Sequence, residues 1–163
     1  MRPIGLVLIS TACAATVTFN EAVSRLPGTR PEPPVTISDT IIALAIREAA
    51  LRGIPAFPTQ RHVVVQRVAD VVSSRSLPWI DSVSFLVLDS AQLIRVAAQA
   101  GHFAYLRPYP PRIDGDTAVV SVASRFAGDP TVARALYGGA CSWRAVRQSG
   151  SWVLDTVVGC GIW

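Results

Sequence analysis

Apolar positions recur along the chain in two rhythms, and the places where one gives way to the other divide it into elements. Between Thr40 and Arg52, Ile41, Ile42, Leu44, Ala45, Ile46, Ala49 and Leu51 cover more than one stripe of a helix. Ser38-Asp39 offers its cap, and Gly53 and Pro55 stop it. So wide an apolar arc predicts a helix buried against a sheet. Arg61 to Val72 is rich in Val and reads as a strand, Leu77-Pro78-Trp79 breaks it, and Ser84 to Leu88 reads as a second strand. Asp89, with Gln92 three positions on, forms a capping-box pattern for a helix that runs to Ala100 and ends at Gly101.

The remaining pattern is a strand pattern. Phe103 to Arg107 alternates and is ended, or pushed to a sheet edge, by Pro108, Pro110 and Pro111. Asp114-Gly115 marks a turn, and Thr117 to Phe126 alternates cleanly, with Ala118, Val120, Val122 and Phe126 on one face. Asp129-Pro130 can open a short helical turn that Gly138-Gly139 closes. Ala140 to Gln148 and Ser151 to Cys160 flank a turn at Ser149-Gly150. A two-residue turn there sets Val146 opposite Val153, Ala145 opposite Leu154 and Arg144 opposite Asp155, so apolar and charged pairs both match. Cys141, Trp143 and Ala145 then share a face with Trp152, Leu154, Val158 and Cys160. In that register the two cysteines are diagonal neighbours, roughly 7–8 Å apart, slightly beyond the reach of a disulfide. A Cys141–Cys160 bridge therefore requires a bulge or strong twist near Gly159.

The beginning of the chain reads differently. Met1-Arg2, the apolar stretch Ile4 to Ile9 and the small residues Ser10 to Ala15 follow the order of a secretory leader. Ala12-Cys13-Ala14 has the form cut by an ordinary signal peptidase, while Ile9-Ser10-Thr11-Ala12-Cys13 resembles a loose lipobox in which Cys13 carries lipid. Either route accounts for the odd number among 3 cysteines and leaves Cys141 and Cys160 to pair in an oxidising compartment. Residues 16–37, with Pro27-Gly28, Pro31, Pro33 and Pro34, read as an extended tether whose Thr16–Phe19 start could add an edge strand. The expectation is an exported protein with a leader over 1–15, a tether over 16–37 and one α+β domain over 38–163. No apolar run after the leader is long enough to cross a bilayer, so any membrane attachment is through a lipid at Cys13.

The order helix, two strands, helix, four strands resembles the nuclear transport factor two-like (cystatin-like cone) superfamily over roughly residues 38–163. That resemblance implies a cone of curved, mostly antiparallel sheet packed on two main helices, with a cavity between helices and sheet. The superfamily includes isomerases, cyclases and dehydratases beside members that only bind, and some pair through the outer sheet face, which implies a possible homodimer.

Composition narrows the function classes. The 15 basic residues are all Arg, against 11 acidic ones, but they are scattered and form no basic stripe, so nucleic acid is not indicated. His62 and His102 stand in no metal-ligand spacing and the cysteines form no C-x-x-C pair, so no metal or other cofactor is expected. No nucleophile elbow or phosphate loop is present. His102 with Asp89 or Asp116 is the candidate acid–base pair, because imidazole exchanges protons near neutral pH and a carboxylate can hold its tautomer. His102 can equally close the end of the second helix. Tyr105, Arg125 and Trp143 are the candidate ligand contacts: Arg125 for an anion, the aromatic rings for an apolar body. Two functions follow: a non-catalytic domain binding a small molecule or a protein, or a small acid–base enzyme.

Overall fold

The first helix begins earlier than its apolar pattern. In the computed structural model, which describes Phe19, Glu21 and residues 25–54, 61–128 and 138–162, α1 spans Ile37–Arg52 and its cap is Thr36, not Ser38. Thr36 Oγ1 accepts from the Asp39 amide at 3.0 Å, while the Asp39 carboxylate accepts from the Thr36 amide at 3.1 Å and its hydroxyl at 2.8 Å. Asp39 is thus the third helical residue of a capping box, where its charge faces the unpaired amides of the first turn. Ser76 Oγ donates to the same carboxylate at 2.9 Å and ties α1 to the turn Ser74–Ser76. Burial pushes the Asp39 carboxyl up, but bonds from the Thr36 side chain, Ser76 and the Thr36 and Val35 backbone together outweigh it, so its pKa lies below the ordinary value.

The strands are β1 (His62–Gln66), β2 (Ser84–Leu88), β3 (Phe103–Pro108), β4 (Arg112–Asp114), β5 (Thr117–Ala127), β6 (Gly139–Gln148) and β7 (Ser151–Ile162), with α2 (Ser90–Ala100) between β2 and β3. They form a 7-stranded sheet in the order β2-β1-β3-β5-β6-β7, with β4 beside β5. The fold is α+β, and the sheet is open and mixed. β1 is parallel to β2 and β3, and the other pairs are antiparallel. β1 is shorter than its valines suggest. After Gln66 the chain turns through Asp70, at φ 59°, a conformation that Asp tolerates and a β-branched residue does not. Val68, Val71 and Val72 belong to that turn and pack beneath α1.

The two helices lie on opposite faces of the sheet. Ile41, Ile42, Ala45, Ile46 and Ala49 of α1 pack against Val63, Val65, Phe85, Val87, Leu106, Val120, Val122 and Trp143. Leu93, Val96 and Ala97 of α2 pack against Val64, Leu86, Leu88 and Phe103, which point the other way. Each fully buried Ile or Leu contributes about 1.5–3 kcal/mol over its exposed state. This layering differs from a cone folded around both helices: α1 underlies most of the sheet, and α2 covers the β2-β1-β3 part of the reverse face and the end of β5.

The closing hairpin has the expected turn, and Cys141, Trp143, Ala145, Trp152 and Leu154 face the α1 core as expected, whereas Val158 and Cys160, expected on the same face, are exposed. Its register begins as expected, Gln148 with Ser151 through Ala145 with Leu154, and then shifts twice, leaving Asp155 and Val158 unpaired. The shifts carry Cys141 from a diagonal to a position directly opposite Cys160, with Cα atoms 4.1 Å apart and the disulfide formed. A formed disulfide suits an oxidising compartment. Val158, placed inward by a regular ladder, bulges, and it is exposed like the rest of β7 from Asp155 on. Arg144 still meets Asp155, its Nε donating at 2.9 Å.

Part of the Pro-rich stretch lies against the domain. Thr29 N donates to Phe85 O at 2.8 Å and Thr29 Oγ1 accepts from Val87 N at 3.1 Å, satisfying the outer edge of β2. Glu32 N donates to Ser74 O at 3.1 Å, and its carboxylate meets Arg75 at 3.5 Å. The Pro-rich residues 27–34 thus meet the domain at Thr29 and Glu32, whereas the edge strand expected at Thr16–Phe19 lies almost wholly outside the described residues. Cys13 and most of residues 1–24, the turn at Asp129-Pro130 and Trp163 fall outside the described residues. No helix among the described residues is long and apolar enough to cross a membrane.

Candidate functional site

α2 is capped as its sequence indicates. Asp89 accepts from the Gln92 amide at 2.7 Å and Gln92 Oε1 accepts from the Asp89 amide at 2.8 Å. At the other end, the Gly101 amide closes onto Ala97 O at 2.9 Å. Held this way, α2 stands over the ends of β1, β3 and β5 and leaves a cleft of about 590 Å³ beside them. Leu93, Ile94, Ala97, Ala98 and Phe126 make it apolar, and Gln66, Ser90, His102 and Tyr105 supply polar groups. Ile94, 70% exposed, stands at its rim.

Two polar details distinguish this cleft. The Gln66 amide donates to Ser90 Oγ at 3.1 Å, while its oxygen is buried with no partner among the described residues. Exchanging the amide's oxygen and nitrogen would only change which atom is stranded. An unsatisfied buried polar atom costs about 1–3 kcal/mol. The His102 ring lies directly over Gly128: a Cβ at Gly128 would stand 1.9 Å from His102 Nδ1. Gly128, at φ +148°, is therefore required both by its backbone and by the imidazole above it.

Beyond the cleft the same sheet face continues as a polar row. Tyr105 is paired across the ladder with Arg125. Arg125 Nη2 donates to the Tyr109 hydroxyl at 3.4 Å, and the Arg107 guanidinium lies 5.6 Å from the Tyr109 ring centroid, within cation–π range. Ser121 and Ser142 hydroxyls bond each other at 2.7 Å further along. Burial pushes the Tyr105 phenol up, more strongly than the positive charges of Arg125 and Arg107 pull it down. Arg107 Nε is buried and has no partner among the described residues.

Of the sequence-derived candidates, His102 and Tyr105 line the cleft, and Arg125 adjoins it through Tyr105. His102 is exposed. Asp89 is engaged at the opposite end of α2, about 16 Å away along a helix of 11 residues. Asp116 lies at the β4–β5 turn, 3.8 Å from Arg147, at the far end of the 11-residue strand β5. The proposed acid–base pair is therefore not assembled with either carboxylate. Trp143 is 4% exposed in the α1 core, on the face away from the cleft. Its alternation in β6 put it inward, as in any core strand. Gln66, Arg107 and Tyr109 had no signal as ligand contacts, the last two because a proline run surrounds them.

A second groove, of about 700 Å³, lies where residues 28–31 cross the start of β2, beside Trp79, which is 70% exposed. None of its lining residues carries a buried polar atom without a partner. Sequence alone presented Trp79 only as a strand breaker. Among the described residues no group of three or more His, Cys, Asp or Glu side chains could hold a metal ion. The chain matches no family model, and no curated protein or solved structure is significantly similar to it.

Proposed function

We propose that this protein is an exported, non-catalytic binding domain whose ligand occupies the cleft between α2 and the sheet. The observation that carries this reading is the stranded polar atom of Gln66 at the wall of an apolar cleft. A pocket lined by aliphatic and aromatic groups gains by taking up an apolar body, and its few polar atoms orient what enters. A ligand hydroxyl or amide would satisfy the Gln66 amide where nothing among the described residues does. The separation of His102 from Asp89 and Asp116 argues against the alternative, an acid–base enzyme.

The test uses N-phenyl-1-naphthylamine, a neutral apolar dye that fluoresces when it leaves water. Titration into the protein should give saturable fluorescence. Ala98→Phe, on the exposed side of α2 that lines the cleft, should abolish it with an unchanged melting temperature. Dye binding that is equal in wild type and Ala98→Phe would remove the cleft as the site.

Export rests on the leader pattern and on the disulfide. We take the Ile9–Cys13 segment as a lipobox, with Cys13 carrying the lipid. Intact mass of the mature protein from a bacterial host distinguishes the outcomes: an acylated Cys13 at the new N-terminus, or an unmodified chain cut beyond it.

A further inference from the structure

We propose that the ligand of the α2 cleft is an amphipathic acid, with its hydrocarbon part between α2 and β3 and its anionic group held further along the sheet by Arg107 and the Tyr109 hydroxyl. The inference rests on the cleft being the binding site. Tyr105, Arg107 and Tyr109 alternate onto one face, so the row leaves the cleft wall at Tyr105 and reaches Arg107 about 7 Å further on. A molecule with an apolar end and a polar end spans that distance, and a compact apolar one does not.

The row presents donors. Arg107 presents a guanidinium whose buried Nε has no acceptor among the described residues. The ion pairs among the described residues join Arg25 to Glu21, Arg52 to Glu48, Arg75 to Glu32, Arg144 to Asp155 and Arg147 to Asp116, and Arg107 is in none of them. Tyr109 Oη accepts from Arg125, which leaves its own proton to be given outward. The Tyr109 ring lies beneath the Arg107 guanidinium and restricts where the fork can point. A fixed guanidinium beside a phenolic O–H suits a carboxylate, which takes two N–H bonds from one and an O–H bond from the other. A neutral polar group would leave the guanidinium charge uncompensated.

Calorimetric titration with decanoate and with decan-1-ol, near pH 8, tests this. The two probes share a chain and differ in the charged end. Decanoate should bind at least about tenfold more tightly, as a charge-assisted bond pair predicts. Arg107→Gln should bring decanoate down to the affinity of the alcohol and leave the alcohol unchanged. Equal binding of both probes by the unaltered protein overturns the acid and leaves the cleft standing. Binding of neither overturns the cleft and the acid together. Equal weakening of both probes by Arg107→Gln would make Arg107 a structural residue and would also overturn the proposal. The comparison on the unaltered protein decides the question even if that variant fails to fold.

Discussion

Strands β1 and β2 run parallel between two helices, whereas β5, β6 and β7 run antiparallel with α1 on one face and, apart from α2 at the end of β5, no described element on the other. The residues record the difference. Val63-Val64-Val65 and Phe85-Leu86-Val87-Leu88 are uninterrupted apolar runs, because both faces of those strands are buried. In β5, buried Ala118, Val120 and Val122 alternate with exposed Thr117, exposed Val119 and half-buried Ser121. β7, the outermost strand, is exposed over most of its length. β3 lies between the two regimes, and the cleft and polar row lie along it. Where α2 stops covering the face, apolar side chains give way to Tyr105, Arg107, Arg125 and the Ser121–Ser142 pair. Partial cover creates the site: full cover would fill it with core, and no cover would leave a flat surface.

Four substitutions, read by urea unfolding, break or sharpen this contrast. Trp143→Ala removes a large side chain from the α1 core and should cost about 3–5 kcal/mol. Its neighbour Arg144, on the open face and half exposed in its pair with Asp155, should cost less than about 1 kcal/mol when changed to Ala. Val64→Thr places a hydroxyl under α2, where no water reaches, and should cost about 1–3 kcal/mol. Val119→Thr makes the same change on the uncovered face and should stay within about 0.5 kcal/mol. Comparable losses for Val64→Thr and Val119→Thr would mean that the open face is covered after all.

The order of elements and the closing hairpin were legible because their signals are local, except that five strands follow α2 and not four: the three-residue strand β4, Arg112–Asp114, reads in the sequence as part of a turn. A capping box, a turn dipeptide and strict alternation act over a few residues, and α2, β2, β5 and the Ser149-Gly150 turn follow from them. The two apolar runs in β1 and β2 also carried the information that helices lie on both faces, since a strand with one wet side alternates. Read only as strands, they left both helices on one side, as the cone resemblance implies. The bulges at Asp155 and Val158 had no local signal beyond the need to bring Cys141 opposite Cys160. The turn inside Val68–Val72 depends on one residue, Asp70, in a run that otherwise favours a strand. The cleft was half legible. The sequence marks Tyr105 and Arg125 as ligand contacts, and the β3–β5 register sets them side by side, but the distance from His102 to either Asp depends on how far apart two ends of the fold lie. Arg107 and Tyr109 needed the pairing of Tyr109 N with Ser121 O, which continues the ladder beyond Pro108.

A further small effect concerns how α1, the cover common to both halves, is fastened to the parallel one. Asp39 joins the start of α1 to Ser76, whose side chain is fully buried in the turn between β1 and β2. Its pKa is lowered in the folded protein, so the unfolded chain takes up its proton first as acid is added. The carboxylate therefore stabilises the fold fully above its ordinary value of 3.8, and that contribution is lost as pH falls through the lowered one. Asp39→Asn keeps the shape and removes the charge at the helix start. It should cost about 0.3–1 kcal/mol near neutral pH. The gap between variant and wild type should close as the pH is taken below 3.8. A gap that stays constant from neutral to acidic pH would mean that the shape of the side chain, and not its charge, fastens α1 to the Ser74–Ser76 turn.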